Sequence, residues 1–157
     1  HRWRWGGFSF RVLHPSPGLP YLRNNSSCVI GITNGAAGLL LAGDVDSSVE
    51  QRLLLEGQAR HAVMHAPHHG SESSSSPQFL ERIAPAAAIA TASLGNRFGF
   101  PREAVRARYQ ARGIPLWATG ECGGLRIRID SRGRVTAASA RHERKRIWRW
   151  PAAEICP

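Results

Sequence analysis

The sequence predicts a single mixed α/β domain, and three observations predict it. Short apolar runs recur along the chain and end at Gly, Pro or Asn, as buried strands do. Between them lie three stretches whose apolar residues fall at helical spacing. The length of 157 residues, with 42% hydrophobic and 20% charged residues, allows one core and is too short for two comfortable ones.

Taken in order, residues 8–13 (FSFRVL) alternate apolar and polar positions and end at His14-Pro15, which reads as a half-buried strand. Gly6-Gly7 precede it, with nothing substantial before them. Residues 16–25 form a loop. Residues 27–32 (SCVIGI) and 38–42 (GLLLA) pair as strands through the turn-forming Asn34-Gly35. Over 46–56 the period changes: Val49, Leu53 and Leu54 share a helical face, Asp46 or Ser47 caps the first turn, and Gly57 ends it. A strand over 62–66 stops at Pro67, and the serine run 73–76 leads into a helix over 77–83 with Pro at its first position. A buried strand follows at 86–90, then an amphipathic helix over 101–112 with Val105 and Tyr109 inward and Gly113 closing it. Strands at 115–118, 125–129 and 135–138 complete the order, the last two joined by Ser131-Arg132-Gly133.

The formal net charge of +10 and pI near 11.3 suit nucleic acid or an anionic membrane surface; they equally describe a solvated basic face in an arginine-biased composition, since Lys145 is the one lysine. Trp3, Trp5, Trp148 and Trp150 alternate with arginines, a pattern for stacking on bases with phosphate pairing, or for a strand edge or membrane contact. Three widely separated cysteines, Cys28, Cys122 and Cys156, suggest no zinc knuckle and no disulfide framework, and Cys28 reads as a small buried residue. No apolar stretch is long enough to span a bilayer. The chain begins at His1 and its one methionine is Met64, so it is expected to be a fragment or a processed product.

Two motifs carry chemistry. LLLAGD (39–44) places Asp44 directly after a buried strand, and APHHGS (66–71) places His68 and His69 at the end of another. Strand ends hold side chains rigidly while leaving them accessible, and carboxylate oxygen with imidazole nitrogen suits zinc, manganese or iron. The plainer readings are a turn or cap for Asp44 and a solvent-facing pair for the histidines.

LLLAGD, a helix, then APHHGS with its serine-rich continuation resembles the metallo-β-lactamase-fold domain of ComEC-type DNA-internalisation competence proteins. NRFGFP (96–101) is similar to that family's NRYGHP, and FSFRVLHP (8–15) and NSSCVI (25–30) extend the likeness, which reaches about Asp130. The resemblance implies an αββα sandwich, of which residues 1–140 are the C-terminal half and 141–157 a basic, Trp-containing tail. It implies two divalent metal ions, zinc or manganese, with Asp44 bridging them and His69 a ligand. His68 would be the catalytic group that orients phosphate or serves the leaving oxygen. Ser71 would cap a helix or support the histidines, and Asn96 and Arg97 would donate to a phosphate, or else form a plain turn before Gly99. The implied activity is hydrolysis of one DNA strand while the other is taken up. The implied partners are DNA, the upstream half of the same domain and a membrane channel region, on the extracytoplasmic side of the inner membrane. The superfamily's HxHxDH motif does not occur in this chain, so the site is expected to be incomplete here. His61 and His65, four apart on a strand-like segment, are expected to share no site, and Phe100 stands where the family has histidine. The alternatives are a degenerate, metal-free DNA-binding module and another lactamase-fold phosphodiesterase.

Overall fold

Trp5 and Phe8 face each other across Gly6-Gly7, whose φ angles of 56° and 83° are those of a two-residue hairpin turn. That turn creates β1 (Arg2–Trp5) antiparallel to β2 (Phe8–His14), correcting the expectation that nothing substantial precedes residue 8. The computed structural model describes residues 1–17, 23–55, 61–143, 154, 156 and 157. Within them β3 (Val29–Thr33), β4 (Gly38–Leu41), β5 (Val63–His65), β6 (Ala87–Ala90) and β7 (Leu116–Ala118) extend the hairpin into a seven-stranded sheet in sequential order. The pairs from β1 to β4 are antiparallel and those from β4 to β7 parallel.

Each parallel step needs a crossover, and the three helices supply it: α1 (Ser47–Leu55), α2 (Pro77–Ile83) and α3 (Glu103–Gln110). Strand pairing sets Leu40, Met64, Ala88 and Leu116 in one row across β4 to β7. That row shares a core with Val49 and Leu53 of α1, Phe79, Leu80 and Ile83 of α2, and Val105 and Tyr109 of α3. The helices therefore cover one face of the sheet. The opposite face carries the row Trp3, Phe10, Ile32, Leu39, Val63 and Ala87. Trp5, at 77% exposure, and Phe8 and Leu41 lie on that same face and are open to solvent.

Asp46 starts α1, its Oδ1 accepting from the Ser48 N–H at 2.9 Å. The expected stop at Gly57 lies outside the described residues. Two one-turn helices were beyond reach of periodicity: α4 (Thr119–Cys122) after β7, and α5 (Ala140–Glu143) after the antiparallel pair β8 (Leu125–Ile129) and β9 (Val135–Ser139). Of the tail, Arg141 to Glu143 fall in α5, while Arg144, Lys145, Arg146, Trp148 and Trp150 lie outside the described residues.

The cysteine reading is corrected on both counts. Cys122 in α4 and Cys156 form a disulfide across 34 residues, with Cα atoms 5.4 Å apart. Tertiary folding, not sequence spacing, brings them together: the Ser139 N–H donates to the Pro157 carbonyl at 3.1 Å, and Ser139 Oγ donates to the Cys122 carbonyl. Cys28, immediately before β3, is a free thiol and exposed. Among the described residues no helix is long and apolar enough to cross a membrane.

Candidate active site

The carboxyl ends of β4, β5 and β6 lie side by side because these strands are parallel neighbours. The residues that follow them converge: Asp44 after β4, His65 at the end of β5, His68 and His69 just past it, and Thr91 after β6. Asp44 Oδ1 lies 3.3 Å from His69 Nε2, each side chain 39% exposed. The loops are tied together by the His68 N–H, which donates to the Gly43 carbonyl at 2.9 Å.

His68 and His69 occupy a tight turn, Pro67–Gly70, in which both have positive φ, 49° and 56°. This corrects the picture of an extended apolar strand end, and it is the turn that sends the two rings apart. Left-handed conformations cost non-glycine residues about 1 kcal/mol or more and persist where surroundings fix them. Here Ser74 Oγ donates to the Pro67 carbonyl at 2.8 Å and the Ser71 N–H to the His68 carbonyl at 2.9 Å. Gly70 completes the turn at φ 86°, and a Cβ there would lie 2.6 Å from Cβ of Pro101, so only glycine lets the NRFGFP loop dock.

His69 turns towards Asp44 and Thr91, its Nδ1 2.9 Å from Thr91 Oγ1. The same hydroxyl lies 3.0 Å from His65 Nε2. One hydroxyl proton serves one imidazole, so Thr91 donates to one ring and accepts from the other. Burial, then the neighbouring His69, holds the His65 imidazole below its ordinary pKa, with Asp44 pulling the other way. His61 is buried elsewhere, with its ring against Gly31 and Gly38. The two histidines therefore share no site, as expected, but because His61 precedes β5 and His65 is within it.

His68 faces the other side. Asn24 Nδ2 donates to its Nε2 at 3.0 Å, Ser73 Oγ lies 3.4 Å from its Nδ1, and the Phe100 ring meets it edge-on at 5.8 Å. Asn25 binds Asp46 from the same segment: Asn25 Nδ2 donates to Oδ2 at 2.9 Å, and the Asp46 N–H returns a bond to Asn25 Oδ1 at 3.0 Å. Burial would raise the Asp46 carboxyl, but the bonds from Ser48 and Asn25 outweigh it and hold the group below its ordinary range.

Ser71, Asn96 and Arg97 make their contacts within their own loops. Ser71 Oγ meets Ser73 Oγ at 3.2 Å and reaches neither imidazole; Ser76, not Ser71, stands before α2. Asn96 spends both amide hydrogens inside its own loop, on the carbonyls of Ser93 (2.9 Å) and Phe100 (2.7 Å), and its Oδ1 accepts from the Phe100 N–H at 3.0 Å. It is a loop staple, with no donor left over for a phosphate. Arg97 is exposed, its guanidinium 4.6 Å above the Phe98 ring. Sequence reasoning missed Thr91, His65 and Asn24. Thr91 carried the same signal as Asp44, a polar residue just past an apolar strand.

A carboxylate and imidazoles gathered beyond the carboxyl ends of parallel strands form the usual location of an α/β binding or catalytic site. Known proteins add a more particular likeness. The chain is 37% identical over 142 residues to Competence protein ComA of Neisseria gonorrhoeae, a match covering 89% of the chain and 20% of that protein. It is 32% identical over 133 residues to the uncharacterised protein YcaI of Escherichia coli (83% and 18%), and 30% identical over 124 residues to ComE operon protein 3 of Bacillus subtilis (78% and 16%). The chain is thus a homologue of part of proteins named for competence, spanning a fifth or less of their length. No family model matches it.

Proposed function

We propose that this chain is part of a metal-dependent phosphodiester hydrolase domain, of lactamase-type αββα architecture, in a ComEC-type DNA-uptake protein, and that the domain degrades the strand that is not taken up. The observation that carries the reading is the 3.3 Å approach of Asp44 Oδ1 to His69 Nε2 at the ends of adjacent parallel strands. The apolar sheet face bearing Trp3, Phe10 and Leu39 supports it as well, since a second sheet would cover that face. The Cys122–Cys156 disulfide supports an extracytoplasmic location, because such bonds persist in oxidising compartments.

The donors present fit a divalent ion in part. Every group is satisfied if His65 donates to Thr91, Thr91 donates to His69 Nδ1, and His69 Nε2–H faces Asp44. Were Nε2 of His69 to hold a metal ion instead, His69 Nδ1–H would donate to Thr91, as ligating histidines donate to an orienting group. Among the described residues no group of three or more His, Cys, Asp or Glu gathers at one point, so further ligands would come from elsewhere. Two divalent ions would neutralise charge on the phosphodiester and clamp its attacking and leaving oxygens. Asp44 and His69 would hold the ions, Thr91 would orient His69, and His68, steadied by Asn24, would orient the phosphate or serve the leaving oxygen.

The test is elemental analysis of the longest gene product that carries this segment. His69→Ala is expected to lose bound metal towards one ion, Asp44→Ala to lose more, and His68→Ala to keep both. Unchanged metal content in Asp44→Ala and His69→Ala would overturn the assignment, and stable absence of metal from the parent protein would favour the metal-free DNA-binding alternative.

A further inference from the structure

We propose a second binding site on this chain, distinct from the strand-end site: a cationic groove over β1 to β3 that takes the phosphate backbone of a single nucleic-acid strand. The proposal rests on the DNA reading above and assigns the residues that hold the strand. Alternation along the strands puts Arg2, Arg4 and Arg11 on the face that the helices cover further along the sheet. Arg2 and Arg11 are direct cross-strand partners, and Arg4, Ser9 and Thr33 continue the same face in the next row. Like charges directly opposite one another destabilise a strand pair, and among the described residues none of the three arginines is ion-paired. The fold therefore carries an uncompensated charge that a polyanion would neutralise.

The shape of the site points to a strand. Over β4 to β7 this face is filled by helices, but over β1 to β3 it opens as a cavity of about 720 Å³ lined by the three arginines, Ser9, Thr33 and His61. Glycine makes its floor: a Cβ on Gly31 or Gly38 would lie 3.1 or 2.9 Å from the His61 ring. A second cavity of about 490 Å³ continues it towards the hairpin turn, sharing Arg4, Ser9, Thr33 and Gly35 with the first. Together they form an elongated groove. Arg2 and Arg4, two residues apart on one strand, stand roughly 6.6–6.8 Å apart along it, giving a row of cations rather than a point. A bilayer surface is flat and would not enter such a groove; strand alternation aims the side chains of Trp3 and Trp5 at the opposite face, although both residues border the cavities.

The experiment measures binding of a labelled oligothymidylate to the full chain in EDTA, so that cleavage plays no part, over a range of salt concentrations. The parent is compared with Arg2→Gln/Arg4→Gln/Arg11→Gln and with the corresponding triple lysine variant. Each phosphate-paired cation contributes about 0.7 to the slope of log K against log[salt] for single strands. The glutamine variant is expected to lose about 2 from the magnitude of the slope, and the lysine variant to keep it. Equal slopes for the parent and the glutamine variant would overturn the groove. So would a glutamine variant that keeps its DNA slope but no longer binds phosphatidylserine vesicles, which would make the arginines a membrane contact. A parent chain that does not bind the oligonucleotide would overturn the groove and the DNA reading together, whereas failure of the metal test above would leave this slope untouched.

Discussion

Thr91 holds two imidazoles with one hydroxyl, which makes it the residue on which the orientation of His69 depends. Thr91→Val keeps shape and removes both bonds. Loss of a group that orients a ligating histidine usually lowers metal affinity on the order of 10–100-fold. That is the expected result in a metal titration of the gene product carrying this segment, with Thr91→Ser restoring affinity. A valine variant that titrates like the parent would show that the hydroxyl orients nothing. Asp44, His68 and His69 were legible at this scale because each follows a short apolar run. The partners of the histidines were not: Asn24 and Thr91 lie 44 and 22 residues from the rings they touch, and no local pattern announces such contacts. Asn96 was legible as a polar loop residue, but only the geometry shows its hydrogens turned inward.

Among the elements, the junction of α1 and α2 is held by one buried carboxylate. Glu50 of α1 is fully buried, and its oxygens accept from the Ser75 and Ser76 N–H groups, at 2.5 and 2.8 Å, at the start of α2. Ser75 Oγ in turn meets the buried Tyr109 hydroxyl at 3.1 Å, linking α3 to the same point. Glu50→Ala would strand one buried and one half-buried donor and is expected to cost about 2–4 kcal/mol in urea unfolding. Burial pushes the Glu50 carboxyl up, against the bonds from Ser76 and Ser75 and the charge of Arg108. A carboxyl raised in the fold keeps its proton where the unfolded chain has lost it. Its contribution is therefore full below the ordinary value of 4.5 and is lost as pH rises through the raised value. Relative to Glu50→Gln, the parent should lose stability with rising pH across that window; parallel pH profiles would contradict the assignment. Elements of several residues with clear period or alternation were legible, α2 over 77–83 and β8 over 125–129 among them. The one-turn helices α4 and α5 offer too few residues for a period to show. The left-handed His68-His69 turn offers no compositional sign, since its conformation is imposed by Gly43, Ser74 and Pro101 from outside.

For the molecule as a whole, the Cys122–Cys156 disulfide adds a covalent constraint to the fold. Closing a loop of this length restricts the unfolded chain by about 3–4 kcal/mol on the chain-entropy account. Cys122→Ser, or full reduction, is expected to lower unfolding stability by up to that amount. A change within error of zero would mean that the bond adds nothing the fold does not already enforce. The order of strands and helices was legible from composition and period, and the α/β class followed from it. The first strand was hidden in a four-residue alternation, RWRW, whose meaning depends on the Gly-Gly turn beyond it. The disulfide was hidden because Cys122 and Cys156 meet only after β8, β9 and α5 have folded back. The central claim is that Asp44 and His69 belong to a phosphodiesterase site. Its most direct measurement is single-turnover cleavage of a short labelled DNA strand by the gene product carrying this segment, with manganese or zinc and with chelator. Metal-stimulated cleavage that falls at least 10²-fold in both Asp44→Ala and His69→Ala is the expected result; cleavage that is indifferent to metal, or that survives both substitutions, would contradict it.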